Sequence, residues 1–223
     1  GDFDVDAVKA TIAHDFGAIP GKPLPQRASP GPVSAPVETD RTIEDRVDAA
    51  RLDLYWHSAR ALTDDDARMS LVASLLGGGE SSRLYRKLVL TGKAQDVTVY
   101  QDGLEWDGSF TLRVTALDGT PIEELEAAVK AELATLAATP PSDDEMALLQ
   151  NQLEFGTLSS LQRLQDRALR LAQYAAYTGD PGWLAKDLDR FRRVSAADLS
   201  DAARRLLVDG TPARIVVIPQ AEK

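Results

Sequence analysis

The run Ala67–Leu88, ARMSLVASLLGGGESSRLYRKL, constrains the fold more than any other stretch of this 223-residue chain. Ala67, Leu71, Val72, Leu75 and Leu76 recur at helical spacing, and three glycines, Gly77 to Gly79, then end the helix. Glycine carries no Cβ penalty in the left-handed conformation that closes helices. Glu80, Ser81 and Ser82 follow, and a hydroxyl ahead of Arg83 suits the cap of a second helix. In that helix Leu84 and Leu88 share one face, with Val89 and Leu90 beside it. The stretch therefore predicts helix, glycine corner, helix. Three backbone N–H groups at the corner are expected to be free to hold an anion or a peptide carbonyl. The plainer reading is a C-cap followed by an N-cap with nothing bound.

Charge and composition narrow the function classes. With 25 Lys+Arg against 35 Asp+Glu the formal net charge is −10, which disfavours nucleic acid and anionic membrane surfaces as partners. No apolar run reaches membrane-spanning length. The chain has no cysteine, so disulfides and Cys-ligated metal are excluded, and its two histidines, His14 and His57, leave little material for a histidine-rich metal site. The opening GDFD reads as the end of a preceding element, so the chain is expected to be a piece of a longer one.

Taken in order, Asp4 or Asp6 caps a predicted helix to Phe16, with Val5, Val8, Ile12 and Phe16 as its apolar stripe. Residues 17–40 hold six of the 12 prolines and read as an extended linker. A strand is predicted near 46–57, with His57 at its end in a surface or hydrogen-bonding role. Thr63 caps the central helix, and Asp64, Asp65 and Asp66 suit its positive N-terminus; dipole complementarity explains the triplet without a cation. A strand follows at 97–101, then a hairpin-like connection at 102–108. The next strand is the most clearly patterned: Phe110, Leu112, Val114 and Ala116 alternate with Ser109, Thr111, Arg113 and Thr115. A helix from Pro121 to Ala138 carries Ile122, Leu125, Val129, Leu133 and Leu136 on its core stripe. After Pro140-Pro141, Ser142 and Glu145 form a capping box that opens a long helix to about Tyr177, bent or interrupted at Gly156 and the Thr157–Ser160 run. Helices near 181–192 and 195–208 follow, the second capped by Ser195 with Asp198. Ala213–Ile218 reads as a buried, continuous final strand. Strands plus helices stacked on one side make an α+β two-layer sandwich of a mostly antiparallel or mixed sheet packed against helices.

Spacings that carry chemistry are missing. No H-x-x-E-H, H-E-x-x-H, G-x-S-x-G or P-loop occurs. The acidic clusters Glu123-Glu124, Asp143-Asp144-Glu145 and Asp187/Asp189 fall in predicted first turns or exposed helix faces, which argues against paired-carboxylate catalysis. No catalytic residue and no metal ligand are predicted.

The run LVASLLGGGESSRLYRKLVLTGKAQDVTVYQD resembles the signature of the second domain of the insulinase/pitrilysin-type zinc peptidase family, which includes the mitochondrial processing peptidases. Supporting matches are GDFDVDAVKATIAHDFGAIP at the start, NQLEFGTLSSLQRLQDRALRLAQYAAYTGDP at 151–181, and the closing ARIVVIP. The resemblance implies that residues 1–20 are the tail of a preceding zinc-bearing domain, 21–40 a Pro-rich linker, and 41–223 a C-terminal, non-zinc domain. It further implies a clam of two half-molecules closing on an extended peptide, with zinc held only in the preceding domain. The chain would contribute chamber wall, half-to-half contact and peptide contact, in a bacterial periplasm or cell envelope. The implied peptide contacts are Gly77, Gly78, Gly79, Glu80, Ser81, Ser82, Arg83 and Tyr85, with helix packing the other reading of Arg83 and Tyr85. On this view Gly78→Val weakens peptide capture and leaves folding intact.

One departure bears on which half this is. The family's non-zinc half commonly supplies an Arg and a Tyr about seven apart just after the SRLY-type helix. The matching positions here are Val89 and Asp96. The chain then belongs to the zinc-bearing half or to a degenerate relative. The alternative function is a structural or assembly subunit without proteolytic activity. A free-standing small-molecule enzyme, the third class, would need a convergent polar pocket that no spacing here indicates.

Overall fold

A computed structural model describes residues 2–23, 31 and 39–220. The chain divides into two units, 1–34 and 35–223. The first holds α1, Val5–Phe16, capped by Asp4, whose side chain accepts from the Ala7 amide at 2.8 Å. Its stripe of Val5, Val8, Ile12 and Phe16 is exposed throughout. Most of the expected Pro-rich linker, 21–40, lies outside the described residues.

The second unit is a five-stranded sheet in the order β1-β5-β2-β4-β3, built from β1 Asp40–Asp45, β2 Arg51–Ser58, β3 Ala94–Gly103, β4 Gly108–Ala116 and β5 Ala213–Pro219. The β1–β5 pair is parallel and the other three are antiparallel. Register aligns the apolar alternation across strands: Leu54 faces Leu112, Leu52 faces Val114, Trp56 faces Phe110, and Val99 faces Leu112 from the other side. Helices α2 Asp64–Gly77, α3 Ile122–Ala138 and α7 Ala196–Ala203 cover that face, and their apolar stripes join it in one core. Leu52, Val72, Leu76, Phe110, Leu125 and Leu199 are fully enclosed there. Trp56 meets the Phe110 ring edge-on at 6.0 Å and donates its indole N–H to the Leu207 carbonyl at 3.1 Å. The α+β, mixed-sheet expectation therefore holds.

Several boundaries differ from the sequence reading. The strand expected at 46–57 begins at Arg51. Residues 40–45, counted partly as linker, form an additional edge strand. The final strand is central, between β1 and β2, yet only Val216 and Val217 are buried. The long helix runs unbroken through Gly156 to Ser160 as α4, Asp143–Ser160, and α5 starts at Leu164 and ends at Thr178. Helix α6 spans Leu184–Arg192. Both capping boxes, Ser142/Glu145 and Ser195/Asp198, form as their side chains dictate.

Candidate functional site

Helix α2 delivers its C-terminus to the edge of the sheet. Gly77 is required there by close approach: a Cβ would lie 2.5 Å from Val99 Cγ2 on β3. Gly79 turns the chain at φ +106°, a conformation that side-chain-bearing residues avoid. The Gly78 amide donates to the Ser74 carbonyl at 2.9 Å, and the Ser82 amide to the Gly79 carbonyl at 3.0 Å. The Gly79, Glu80 and Ser81 amides donate to no partner among the described residues, so three N–H groups of the corner are free. Gly78, Gly79, Glu80 and Ser81 are exposed, Gly77 is half-buried, and Ser82 is buried with its hydroxyl making no hydrogen bond among the described residues. The Ser82 hydroxyl thus caps nothing, against expectation. A Cβ at Gly78 would sit 2.5 Å from the Ser74 carbonyl oxygen, so Gly78→Val strains the corner itself and does not leave the fold untouched.

The second helix of the signature is a single π-helical turn, Tyr85–Val89, closed by the Leu90 amide on the Tyr85 carbonyl at 3.1 Å. Leu88 is buried and Tyr85 and Val89 are half-buried against the domain, while Arg86 and Lys87 are exposed. Arg83 forks onto Glu145 at the start of α4, Nε to Oε1 at 2.8 Å and Nη2 to Oε2 at 2.9 Å, and reaches Glu132 of α3 at 3.4 Å. Lys87 joins Glu132 at 3.1 Å. The Arg83 guanidinium, with the Ser142 amide, holds the Glu145 carboxyl down to about 2. Arg83 is thus committed to anchoring the turn, and Tyr85 is half-buried. Val89 packs against the core, and Asp96 lies exposed on β3, accepting from the Thr98 hydroxyl at 2.9 Å.

Of the predicted contacts, Gly78 lines a groove on this side of the domain. This groove, about 470 Å³, runs between Ser74 and Gly78 of the corner, the stretch Gln152, Leu153, Gly156, Thr157 and Ser160 of α4, and Arg170 of α5. The sequence expects a bend or interruption at Gly156 and the Thr157–Ser160 run; the helix passes through Gly156 and is interrupted directly after Ser160. Gly156, which has no side chain, leaves the α4 wall low where it lines the groove. Apart from its chain neighbours and the helix's own backbone, no described heavy atom lies within 4 Å of where a Gly156 Cβ would stand.

A buried network sets the position of α5 and α6. The Tyr174 hydroxyl donates to Asp187 Oδ2 at 2.6 Å, and Arg190 grips Asp187 Oδ1, Asp66 Oδ2 at 3.3 Å and the Thr63 carbonyl. Burial pushes the Asp66 carboxyl up, against the pull of Arg190, and desolvation together with Asp187 raises the Tyr174 hydroxyl. Two sequence readings are corrected here. Asp187 is buried, not solvated, and Asp66 does more than complement a helix dipole: it also takes the Leu62 amide at 3.0 Å.

The donor set does not fit zinc. His14 lies in the first unit beside Asp15, His57 in the second beside Asp107 at 3.1 Å, and no group of three or more His, Asp or Glu able to hold a metal occurs among the described residues. No described helix is long and apolar enough to cross a membrane.

Residues 1–153 match the family model described as Peptidase M16 inactive domain, and the chain belongs to that family. Among solved structures it is similar to a protease from Helicobacter pylori, at 20% identity and TM-score 0.83, covering 98% of this chain and 53% of that one. It is also similar to a peptidase M16 inactive domain from Pseudomonas fluorescens, at 18% identity and TM-score 0.80, covering 100% of this chain and 53% of that one. The periplasmic protease PqqL from Escherichia coli matches at 16% identity and TM-score 0.72, over 99% of this chain and 25% of that one. The chain thus spans about half the length of the first two. No curated protein matches it.

Proposed function

We propose that this chain is the non-catalytic domain of a zinc peptidase of the M16 type, forming chamber wall and peptide contact for hydrolysis carried out elsewhere in a longer protein. The observation that carries the reading is the groove, which brings the glycine corner together with the low wall of α4. The hydroxyls at Ser74, Thr157 and Ser160 offer an extended peptide hydrogen-bond partners, and Gly78 and Gly156 present no side chain to clash with it. Gly79, Glu80 and Ser81 continue that surface. Gly77, Ser82, Arg83 and Tyr85 serve it from behind by holding the corner. Zinc belongs to a preceding domain of the parent, for which residues 1–20 are the tail and 21–40 the linker. That domain and a second half-molecule are the expected partners. The likeness to a periplasmic protease supports the bacterial periplasm as the setting.

A second reading, a structural subunit without proteolytic activity, draws on Val89 and Asp96 standing where the family's Arg and Tyr would. The same observation fits a zinc-bearing half, in which that pair is supplied by the other half.

The experiment is photo-crosslinking. A photoreactive residue replaces Thr157, or as a control Thr98 on the solvent-facing side of β3, in the parent protein incubated with a labelled peptide mixture. Label at 157 and not at 98 supports the reading. Equal labelling at both, or at neither, overturns it.

A further inference from the structure

Seven described arginines are buried or half-buried. Six of them, Arg51, Arg68, Arg83, Arg113, Arg190 and Arg214, sit on a carboxylate. Arg170 is the seventh, and it makes no ion pair among the described residues. Its guanidinium lies 5.9 Å over the buried Tyr174 ring and faces the groove, where it supplies the one charged side chain of the lining. Asp166, one helical turn before it, lies 2.6 Å from Arg163 and makes no ion pair with Arg170, though its buried Oδ2 accepts no hydrogen bond among the described residues. Glu154 on the neighbouring helix is taken by Arg192 at 2.6 Å. A partly desolvated guanidinium without an anion is unfavourable relative to one that is paired. This surface otherwise pairs such groups consistently, so the exception marks a place where the anion comes from outside.

We propose that the groove takes a carboxylate of an extended polypeptide, paired with Arg170. This rests on the peptide-contact reading above and adds its chemical preference. The guanidinium presents planar donors that match a carboxylate. The Tyr174 ring beneath it, tied through its hydroxyl to Asp187, limits the rotamers Arg170 can take, so little side-chain freedom is lost on pairing. The hydroxyls of Ser74 and Thr157 are placed to hydrogen-bond the peptide backbone on either side. The chain as a whole is acidic at −10, but no acidic residue lines the groove, and charges beyond about 10 Å are screened at ordinary salt. The carboxylate can come from an Asp or Glu side chain or from a free C-terminus.

The test is fluorescence anisotropy of the full 223-residue chain with labelled octapeptides that differ at one central position, Glu, Gln or Lys, all C-terminally amidated, plus the Gln peptide as a free acid. Glu is expected to bind roughly tenfold tighter than Gln, as a charge-assisted hydrogen bond implies, and Lys weaker than both. Arg170→Gln abolishes the Glu advantage and leaves Gln binding unchanged. Gly156→Leu, which points into open space and suits a helix, lowers the affinity of every peptide. The Gln free acid binding like Glu assigns the site to chain ends; the Glu amide alone binding tightly assigns it to side chains. Equal binding of Glu and Gln, with both weakened by Gly156→Leu, overturns the carboxylate preference and leaves the peptide-contact reading standing. Binding insensitive to Gly156→Leu, or no binding of any peptide, overturns both.

Discussion

Replacing Arg83 by Met tests whether the SRLY-type signature anchors the corner or serves a ligand directly. The guanidinium makes two short bonds to Glu145 and a longer one to Glu132, and its side chain is only 15% exposed. Glu145 is held near 2 against an ordinary 4.5. At about 1.4 kcal/mol per pH unit the shift sets an upper bound of about 3 kcal/mol. The Glu145 side chain is 26% exposed, and solvent screening together with the share owed to the Ser142 amide brings the Arg83 part to about 2 kcal/mol. The sign follows from linkage: a carboxyl whose folded pKa is depressed contributes in full above its unfolded value and loses that contribution as pH falls toward the folded one. Urea unfolding of wild type and Arg83→Met, followed by far-UV circular dichroism at pH 7 and pH 3, should show a gap of about 2 kcal/mol at pH 7 that drops to less than half at pH 3. A gap under about 0.5 kcal/mol at pH 7, or one that does not shrink at pH 3, would refute the anchoring argument.

Four further outcomes follow from the same geometry. Gly77→Ala should cost about 1–3 kcal/mol and lower the melting temperature, because its Cβ meets Val99 on the facing strand; an unchanged melting temperature would show that α2 is free to shift. Arg190→Met strands Asp187 and Asp66 in a buried site and should cost about 3–5 kcal/mol, whereas Tyr174→Phe, which removes one of the donors to Asp187, should cost about 1–3 kcal/mol. Gly156→Ala should stabilise the chain by about 0.5–1 kcal/mol, since the helix gains and nothing clashes; a loss of stability would mean the groove wall is packed and not open.

The parts of the fold that local chemistry decides were legible. The alternation from Phe110 to Ala116, the stripe of α3 and both capping boxes need only neighbours in sequence. Strand β1, DRTIED, shows no apolar alternation because it is an edge strand with no buried residue, and it pairs with β5 far along the chain. The π-helical turn at 85–89 was read as ordinary helix because both place Leu84 and Leu88 on one face. Long-range pairing hid the rest. Arg83 finds Glu145, Asp187 is drawn inward by Tyr174 and Arg190, and the groove joins the corner to α4 and α5 across more than 70 residues of chain. The one advance sign of the groove is Gly156 inside a helix, which the sequence assigns to a bend or interruption.

The central claim, a domain that holds peptide while chemistry is done elsewhere, is tested most directly by zinc content and peptide hydrolysis on this chain and on its longer parent, side by side. The account predicts zinc and cleavage in the parent and neither in this chain. Zinc-dependent cleavage by this chain alone would contradict it, and a parent with neither would replace the peptidase reading with the structural-subunit one.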